Sequence, residues 1–398
     1  MSIILSKKGL AIEPSVTLEI SAKAKALKQQ GVDIISFSVG EPDFNTPENI
    51  RDEGIRAIRD GLTKYTPTSG ILELKEAICN KLKKDNYLDY HPNNIIISNG
   101  GKHSIYNALM AILNPDDEVI IGVPYWVSYP DLVNIAGGIP VYVQTKEEND
   151  FKFNVNELEK AKTNKTKAII LNSPSNPTGS IYTEDELREI AKWAVENNII
   201  VISDELYEKL IYDGYKHISI ASFNDEIKRL TIVINGMSKA YSMTGWRIGY
   251  TAASEEIIKI MGNIQSHTTS NPSSIAQYAS VVGLEGDQTS VEEMRIEFNK
   301  RRIYITELIN SIKKLSCKTP KGAFYIMVNF SDLKGKVIHG IEIKTSLDFA
   351  NLLLEKANVA VVPGIAFGDD NYIRLSYATS MENIKEGIKR IKDCIENN

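Results

Sequence analysis

The chain has 398 residues, 42% of them hydrophobic and 24% charged, with a formal net charge of −5. That length favours two domains over a single core, and the composition is that of a globular protein. The acidic balance and scattered basic residues exclude a nucleic-acid surface. No apolar run approaches membrane-spanning length, and the N-terminus has too short an apolar stretch for a signal peptide. Cys79, Cys317 and Cys394 are odd in number and far apart, which speaks against a disulfide framework and for a reducing cytoplasm. No zinc-binding spacing occurs among them and the five histidines.

In chain order, Ser36-Phe-Ser-Val39 ends in the turn signal Gly40-Glu-Pro-Asp. Short Ile/Val runs then recur at Asn94–Ser98, Glu118–Gly122, Lys167–Leu171, Ile199–Ser203 and Thr231–Ile234. Such runs suit strands buried on both faces of a parallel sheet. Between them lie amphipathic helices. One is announced by the capping box Thr183-Glu-Asp-Glu186, with Leu187, Ile190, Ala191 and Ala194 on one face. This βαβ rhythm predicts an α/β sheet with helices on both sides.

After about residue 285 the rhythm changes. A charged helix over roughly 290–315 leads to a strand at Gly322–Val328, a helix near 346–357, short strands near Val359–Val362 and Tyr372–Ser376, and a closing helix from about 381. Residues 331–345 read as a surface loop. The division expected is a large domain over 46–285 and a smaller α+β domain from 1–45 and 286–398.

The chemistry concentrates at strand ends. Lys239 follows Thr231–Ile234, with Ser238 before it and Arg247 eight residues later among small residues. A neutral lysine amine forms an imine with an aldehyde, and serine with arginine holds phosphate; together they suggest pyridoxal phosphate. Asp204 ends the strand at 199–203, where open α/β sheets bind ligands. It fits either a partner for a protonated pyridine nitrogen, with Tyr207 near the ring hydroxyl, or a helix cap beside a core tyrosine. Asn176 lies in Asn172-Ser-Pro-Ser-Asn-Pro-Thr-Gly179, a stiff loop with two X-Pro bonds, each with a raised chance of being cis. Gly100-Gly101-Lys102 opens a helix, where backbone amides meet anions, and matches neither a Walker loop nor the dinucleotide fingerprint. Trp126 fits ring stacking or core packing equally. Arg374 alternates with Ile373 and Leu375 in a strand and shares the other face with Tyr372. It is either a carboxylate clamp or an exposed edge charge.

These pieces, in this order, resemble the class I/II aminotransferases of pyridoxal-phosphate fold type I. The resemblance is nearest to the bacterial and thermophilic aspartate aminotransferase subgroup, some of whose members act on prephenate. It rests on Gly40-Glu-Pro-Asp-Phe, Thr63-Lys-Tyr-Thr-Pro67, Ser98-Asn-Gly-Gly-Lys102, Pro124-Tyr-Trp-Val-Ser-Tyr-Pro130, Ser173–Gly179, Ser203-Asp-Glu-Leu-Tyr207, the Lys239 segment and Arg374–Ser380. It implies a large domain with a mostly parallel seven-stranded sheet flanked by helices, and a smaller α+β domain.

The resemblance also implies roles. Lys239 would hold the cofactor covalently and act as the base, and Asp204 would pair with the pyridine nitrogen. Tyr207 and Asn176 would bind the ring oxygen, and Trp126 would stack on the ring. Gly101 and Lys102 amides, Ser238 and Arg247 would bind the phosphate, with Tyr65 reaching it from the second subunit of a homodimer. Arg374, Asn176, Trp126 and the Gly40 backbone would hold the substrate. Lys102 with Ser15 and Thr17 would select an acidic side chain, favouring aspartate, glutamate or prephenate in a ping-pong exchange with a 2-oxo acid. An aromatic aminotransferase and a C–S lyase are the alternatives.

Overall fold

Every Ile/Val run flagged above becomes a strand. The computed structural model describes residues 3, 5–10, 12 and 16–397, with side chains except at positions 8 and 18. After β1 (Ile35–Ser36) come β2 (Ile95–Ser98), β3 (Glu118–Val123), β4 (Ile139–Gln144), β5 (Thr166–Asn172), β6 (Ile200–Asp204), β7 (Thr231–Gly236) and β8 (Gly249–Ala252). From β2 onward these form one seven-stranded sheet in the order β2-β8-β7-β6-β5-β3-β4. Pairing is parallel except around β8, which is antiparallel to both β2 and β7.

Alternation along the strands explains burial on both faces. Ile170, Ile202 and Ile232 face one apolar layer with Ile105 and Leu109 of the helix Gly101–Ile112. Ile169, Leu171 and Val201 face the other, with Leu187, Ile190 and Ala194 of the helix Glu184–Glu196. That helix begins as expected, with Thr183 and Glu186 exchanging capping hydrogen bonds. Each fully buried isoleucine contributes about 1.5–3 kcal/mol.

The sequence reading missed β4 and β8. β4 is an edge strand whose outer face is largely exposed, and Pro140 and Tyr142 interrupt its Ile and Val residues. β8 begins at Gly249, within the run Asn235–Tyr250 that holds Lys239, and its Gly-Tyr-Thr-Ala contains no Ile/Val run.

The C-terminal part contains β9 (Tyr325–Asn329), β10 (Val337–Ile338), β11 (Ile341–Glu342), β12 (Val359–Ala360), β13 (Val362–Pro363) and β14 (Tyr372–Ser376). β14 lies between β13 and β9, antiparallel to both. Its central place buries Arg374, so this is no exposed edge charge. The charged helix ends at Asn310, and β9 starts only at Tyr325. Residues 331–345 are not a plain loop, because β10 and β11 pair within them as a short hairpin.

The N-terminal segment joins this part. β1 pairs with β12, and Ala24 and Ile34 share an apolar cluster with Leu354 and Ala360. A larger cluster runs unbroken from Ile71 and Leu74 through Phe298 and Phe324 to Phe349 and Ile388. Among the described residues, no helix is long and apolar enough to cross a membrane.

Candidate active site

β2, β3, β5, β6 and β7 all run the same way, so their C-terminal ends meet at one edge of the sheet. The register sets Asn172 opposite Asp204, and Asp204 opposite Ile234. Into a cavity of about 320 Å³ at this edge project Lys239, Asp204, Tyr207, Asn176, Trp126, Gly101, Lys102, Gly40, Arg374 and Thr17. Segments spread over the whole chain thus converge on one volume.

Lys239 lies along the wall of this cavity, and its Nζ donates to the Gly40 carbonyl at 2.6 Å. Burial, then the positive charges of Arg374 and Arg247, push its amine down to about 8. An appreciable neutral fraction near neutrality is what an imine-forming lysine needs.

Asp204 is 6% exposed and does not cap a helix. Its Oδ1 accepts from the Leu206 amide at 3.3 Å, and its Oδ2 from the Tyr129 hydroxyl at 2.6 Å. Burial pushes its carboxyl up to about 6, and these hydrogen bonds oppose that rise. Tyr207 exchanges a hydrogen bond with Tyr325 at 2.9 Å between the two hydroxyls.

Arg374 is held by two fixed acceptors. Nη1 donates to Asn176 Oδ1 at 3.0 Å and Nη2 to the Ser38 carbonyl at 2.9 Å. Its guanidinium stacks over Tyr325 at 4.4 Å and Phe367 at 4.9 Å, while the buried Nε has no hydrogen-bond partner among the described residues. A buried cation with spare donor capacity requires an anion. Asn176 is itself anchored, its amide donating to Asn172 Oδ1 at 2.8 Å. The bonds Ser173-Pro174 and Asn176-Pro177 flanking this turn are both cis.

The helix Gly101–Ile112 points its first turn at the cavity, where the Gly101 and Lys102 amides have no intrahelical acceptor. Gly100 has φ +86°, and a Cβ there would collide with Arg247 Nη2. Arg247 is thereby packed against the helix start, and it donates to the carbonyls of Thr244 and Asn99. It lines the adjoining groove with Asn99, Thr244 and Trp246 rather than the main cavity. Ser238 is buried beside Lys239 and is not among the residues lining the cavity. Tyr65 stands 92% exposed, away from the cavity in the single chain. Lys102 Nζ sits 5.1 Å from the Trp126 ring centre, and burial with the nearby Arg247 charge lowers its pKa. Thr17 lies on the helix Val16–Gln29, which closes one side of the cavity; Ser15 falls outside the described residues.

Sequence reasoning assigned no role to Tyr129, Tyr325, Asn172, Ser21 or Ser38, which also line the cavity. Tyr129 stands three residues after Trp126 in a quoted motif, and that proximity was its one available signal.

The donor set fits pyridoxal phosphate. It offers an imine-forming amine, a buried carboxylate for a ring nitrogen, an aromatic wall and a helix N-terminus beside an arginine for a phosphate. Such a site defines an enzyme of amino-acid chemistry. A family model described as aminotransferase class I and II matches residues 32–391. The chain is 50% identical over 392 residues to the aspartate aminotransferase of Bacillus sp. (strain YM-2), covering 98% of this chain and 99% of that one. It is 46% identical over 397 residues to the probable aspartate/prephenate aminotransferase of Aquifex aeolicus (strain VF5), with coverage of 98% and 99%. Its fold superposes on the Thermus thermophilus aspartate aminotransferase solved with maleate at a TM-score of 0.93, with 40% identity and coverage of 99% and 100%. The chain belongs to the class I and II aminotransferase family. It is a pyridoxal-phosphate-dependent transaminase, moving an amino group between an amino acid and a 2-oxo acid.

Proposed function

We propose that the chain moves the amino group of aspartate, or of a similar acidic amino acid, to a 2-oxo acid such as 2-oxoglutarate by a ping-pong route. One observation carries this reading: Arg374 and Lys102, two buried or half-buried cations, line the same cavity as Lys239. A dicarboxylate needs two such cations, one for each end. The names of the Bacillus and Aquifex relatives, and the maleate in the Thermus structure, support the same choice.

Bound pyridoxal phosphate supplies an aldehyde carbon for the amino group and an electron sink for the α-carbon. Lys239 would hold it and, as a neutral amine, would take the proton from the donor's α-carbon. Asp204 holds a proton on the ring nitrogen by pairing with it. Tyr207 and Asn176 bind the ring oxygen, and Trp126 covers the ring. The Gly101 and Lys102 amides, Ser238 and Arg247 take the phosphate. Arg374, Asn176 and the Gly40 backbone orient the α-carboxylate, and Lys102 with Thr17 and Ser15 takes the distal one.

Tyr65 reaches the phosphate of the second subunit in a homodimer; its 92% exposure in one chain supports this. Residues 46–285 make the large domain, and 1–45 with 286–398 the small one, a division supported by the pairing of β1 with β12. The free Cys79, Cys317 and Cys394 support a reducing, cytoplasmic setting. Prephenate is a second reading, because it is also a dicarboxylate and the Aquifex relative is named for it.

The test is to mix the cofactor-loaded enzyme with single amino acids, without a 2-oxo acid, and follow the bound-cofactor absorbance. Aspartate and glutamate should discharge it fastest. Fastest discharge by tyrosine or phenylalanine, or ammonia release from cystathionine, would overturn the assignment.

A further inference from the structure

We propose that Tyr129 is a positioning residue for Asp204, orienting its carboxylate toward the ring nitrogen and keeping it ionised there. The inference rests on the aminotransferase reading for the identity of the ring, but the contact itself belongs to the chain. Tyr129 is the second residue of the helix Ser128–Ile135 and is 2% exposed. Its hydroxyl donates to Asp204 Oδ2 at 2.6 Å, within the short range of charge-assisted O–H···O bonds. A phenol has one proton to donate, and Tyr129 spends it here.

The surroundings leave this bond with a specific task. Asp204 faces Tyr129, the Leu206 amide, Glu205, Lys239 and Tyr207. Glu205 adds a like charge but does not compete for the donor. Its oxygens are taken by Ser203 at 2.9 Å, Ser219 at 2.6 Å and His217 at 2.9 Å. Burial favours the neutral acid at Asp204, and a neutral acid pairs poorly with a pyridinium. Tyr129 counters that tendency from one side and fixes the carboxylate's rotation, leaving its remaining lone pairs for the ring. The Tyr129 ring packs edge-on against Trp126, with centroids 5.3 Å apart. Tyr129→Phe therefore keeps the packing and removes only the donor.

The experiment compares wild type and Tyr129→Phe in three ways. On reconstitution with pyridoxal phosphate, the variant's dissociation constant should rise about 10-fold, the scale of a lost charge-assisted hydrogen bond. The pH midpoint of the bound-cofactor absorbance should move, and kcat should fall about 10-fold while KM for the amino donor stays within about twofold. In the apo protein, the melting-temperature loss from Tyr129→Phe should grow as pH rises from 5 to 8, and should be independent of pH in an Asp204→Asn background. Unchanged affinity and midpoint, or a loss independent of pH in both backgrounds, would reduce Tyr129 to packing and overturn the proposal. Failure of the wild type to take up pyridoxal phosphate would instead sink the aminotransferase reading, and the apo comparison would still decide whether Tyr129 and Asp204 are coupled.

Discussion

The Lys239 amine donates to the Gly40 carbonyl at 2.6 Å, which ties the turn after β7 to the loop after β1. The reactive nitrogen is thus held where the N-terminal segment meets the large sheet. The acceptor is a backbone carbonyl, which can hold the amine in place without a fixed negative charge to keep it protonated.

Lys239→Ala should abolish turnover, and borohydride reduction of the loaded wild type should fix the cofactor's mass on the peptide carrying Lys239. In the apo protein the amine titrates near 8, below its ordinary 10.5. Between these values only the unfolded chain still holds the proton, so apo stability from this group rises with pH. Melting of apo wild type against apo Lys239→Met across pH 7–10.5 should show the variant's advantage shrinking; an advantage that grows would contradict the burial argument.

Asp204→Asn should lower kcat by about 100-fold or more, the scale of losing a preorganised charge in a closed site. The apo protein should respond the other way. Its folded-state carboxyl titrates near 6 against 3.8 unfolded, so stability from this group falls as pH rises through that window. Apo Asp204→Asn should therefore gain at most about 3 kcal/mol above pH 6 and nothing below pH 4. Denaturant titrations at several pH values check this.

Lys102→Ala should raise KM for aspartate by about 10-fold or more while changing KM for phenylalanine little, since only aspartate offers a second carboxylate. Steady-state kinetics with both donors decide it; an equal rise for both would sink the acidic-substrate assignment, and no change for either would mean that Lys102 serves through its backbone amide alone.

Arg374→Lys keeps the charge but loses the planar fork that bonds Asn176 and the Ser38 carbonyl. The value of kcat/KM should fall by about 100-fold for every amino donor, with cofactor affinity nearly unchanged. A loss confined to acidic donors would move Arg374 from the α-carboxylate to the side chain.

Gly100→Ala should cost about 1–3 kcal/mol through its positive φ alone. The added Cβ should also displace Arg247, weakening pyridoxal phosphate more than the substrate. Comparing the variant's cofactor dissociation constant with its KM tests the split.

The sheet was legible because β5, β6 and β7 are buried on both faces and therefore read as unbroken Ile/Val runs. β4 was not, because an edge strand needs no such run. Among the site residues, Lys239, Asp204 and Asn176 were found from their place just after apolar strands. Tyr129 and Tyr325 escaped because their partners, Asp204 and Tyr207, lie 75 and 118 residues away, and no local pattern encodes a bond over that distance.

The sequence by itself determined the class of chemistry: residue type and strand-end position suggested an amine, a carboxylate and an anion-binding helix start, and the order of the motifs along the chain carried the resemblance to one family. Only the tertiary structure decided the electrostatics. Burial and the charges of Arg374 and Arg247 bring Lys239 down toward neutrality, while burial and Tyr129 act in opposition on Asp204. Those effects depend on desolvation and on distances of a few ångströms between segments far apart in the chain, and both exist only once the strand ends have met.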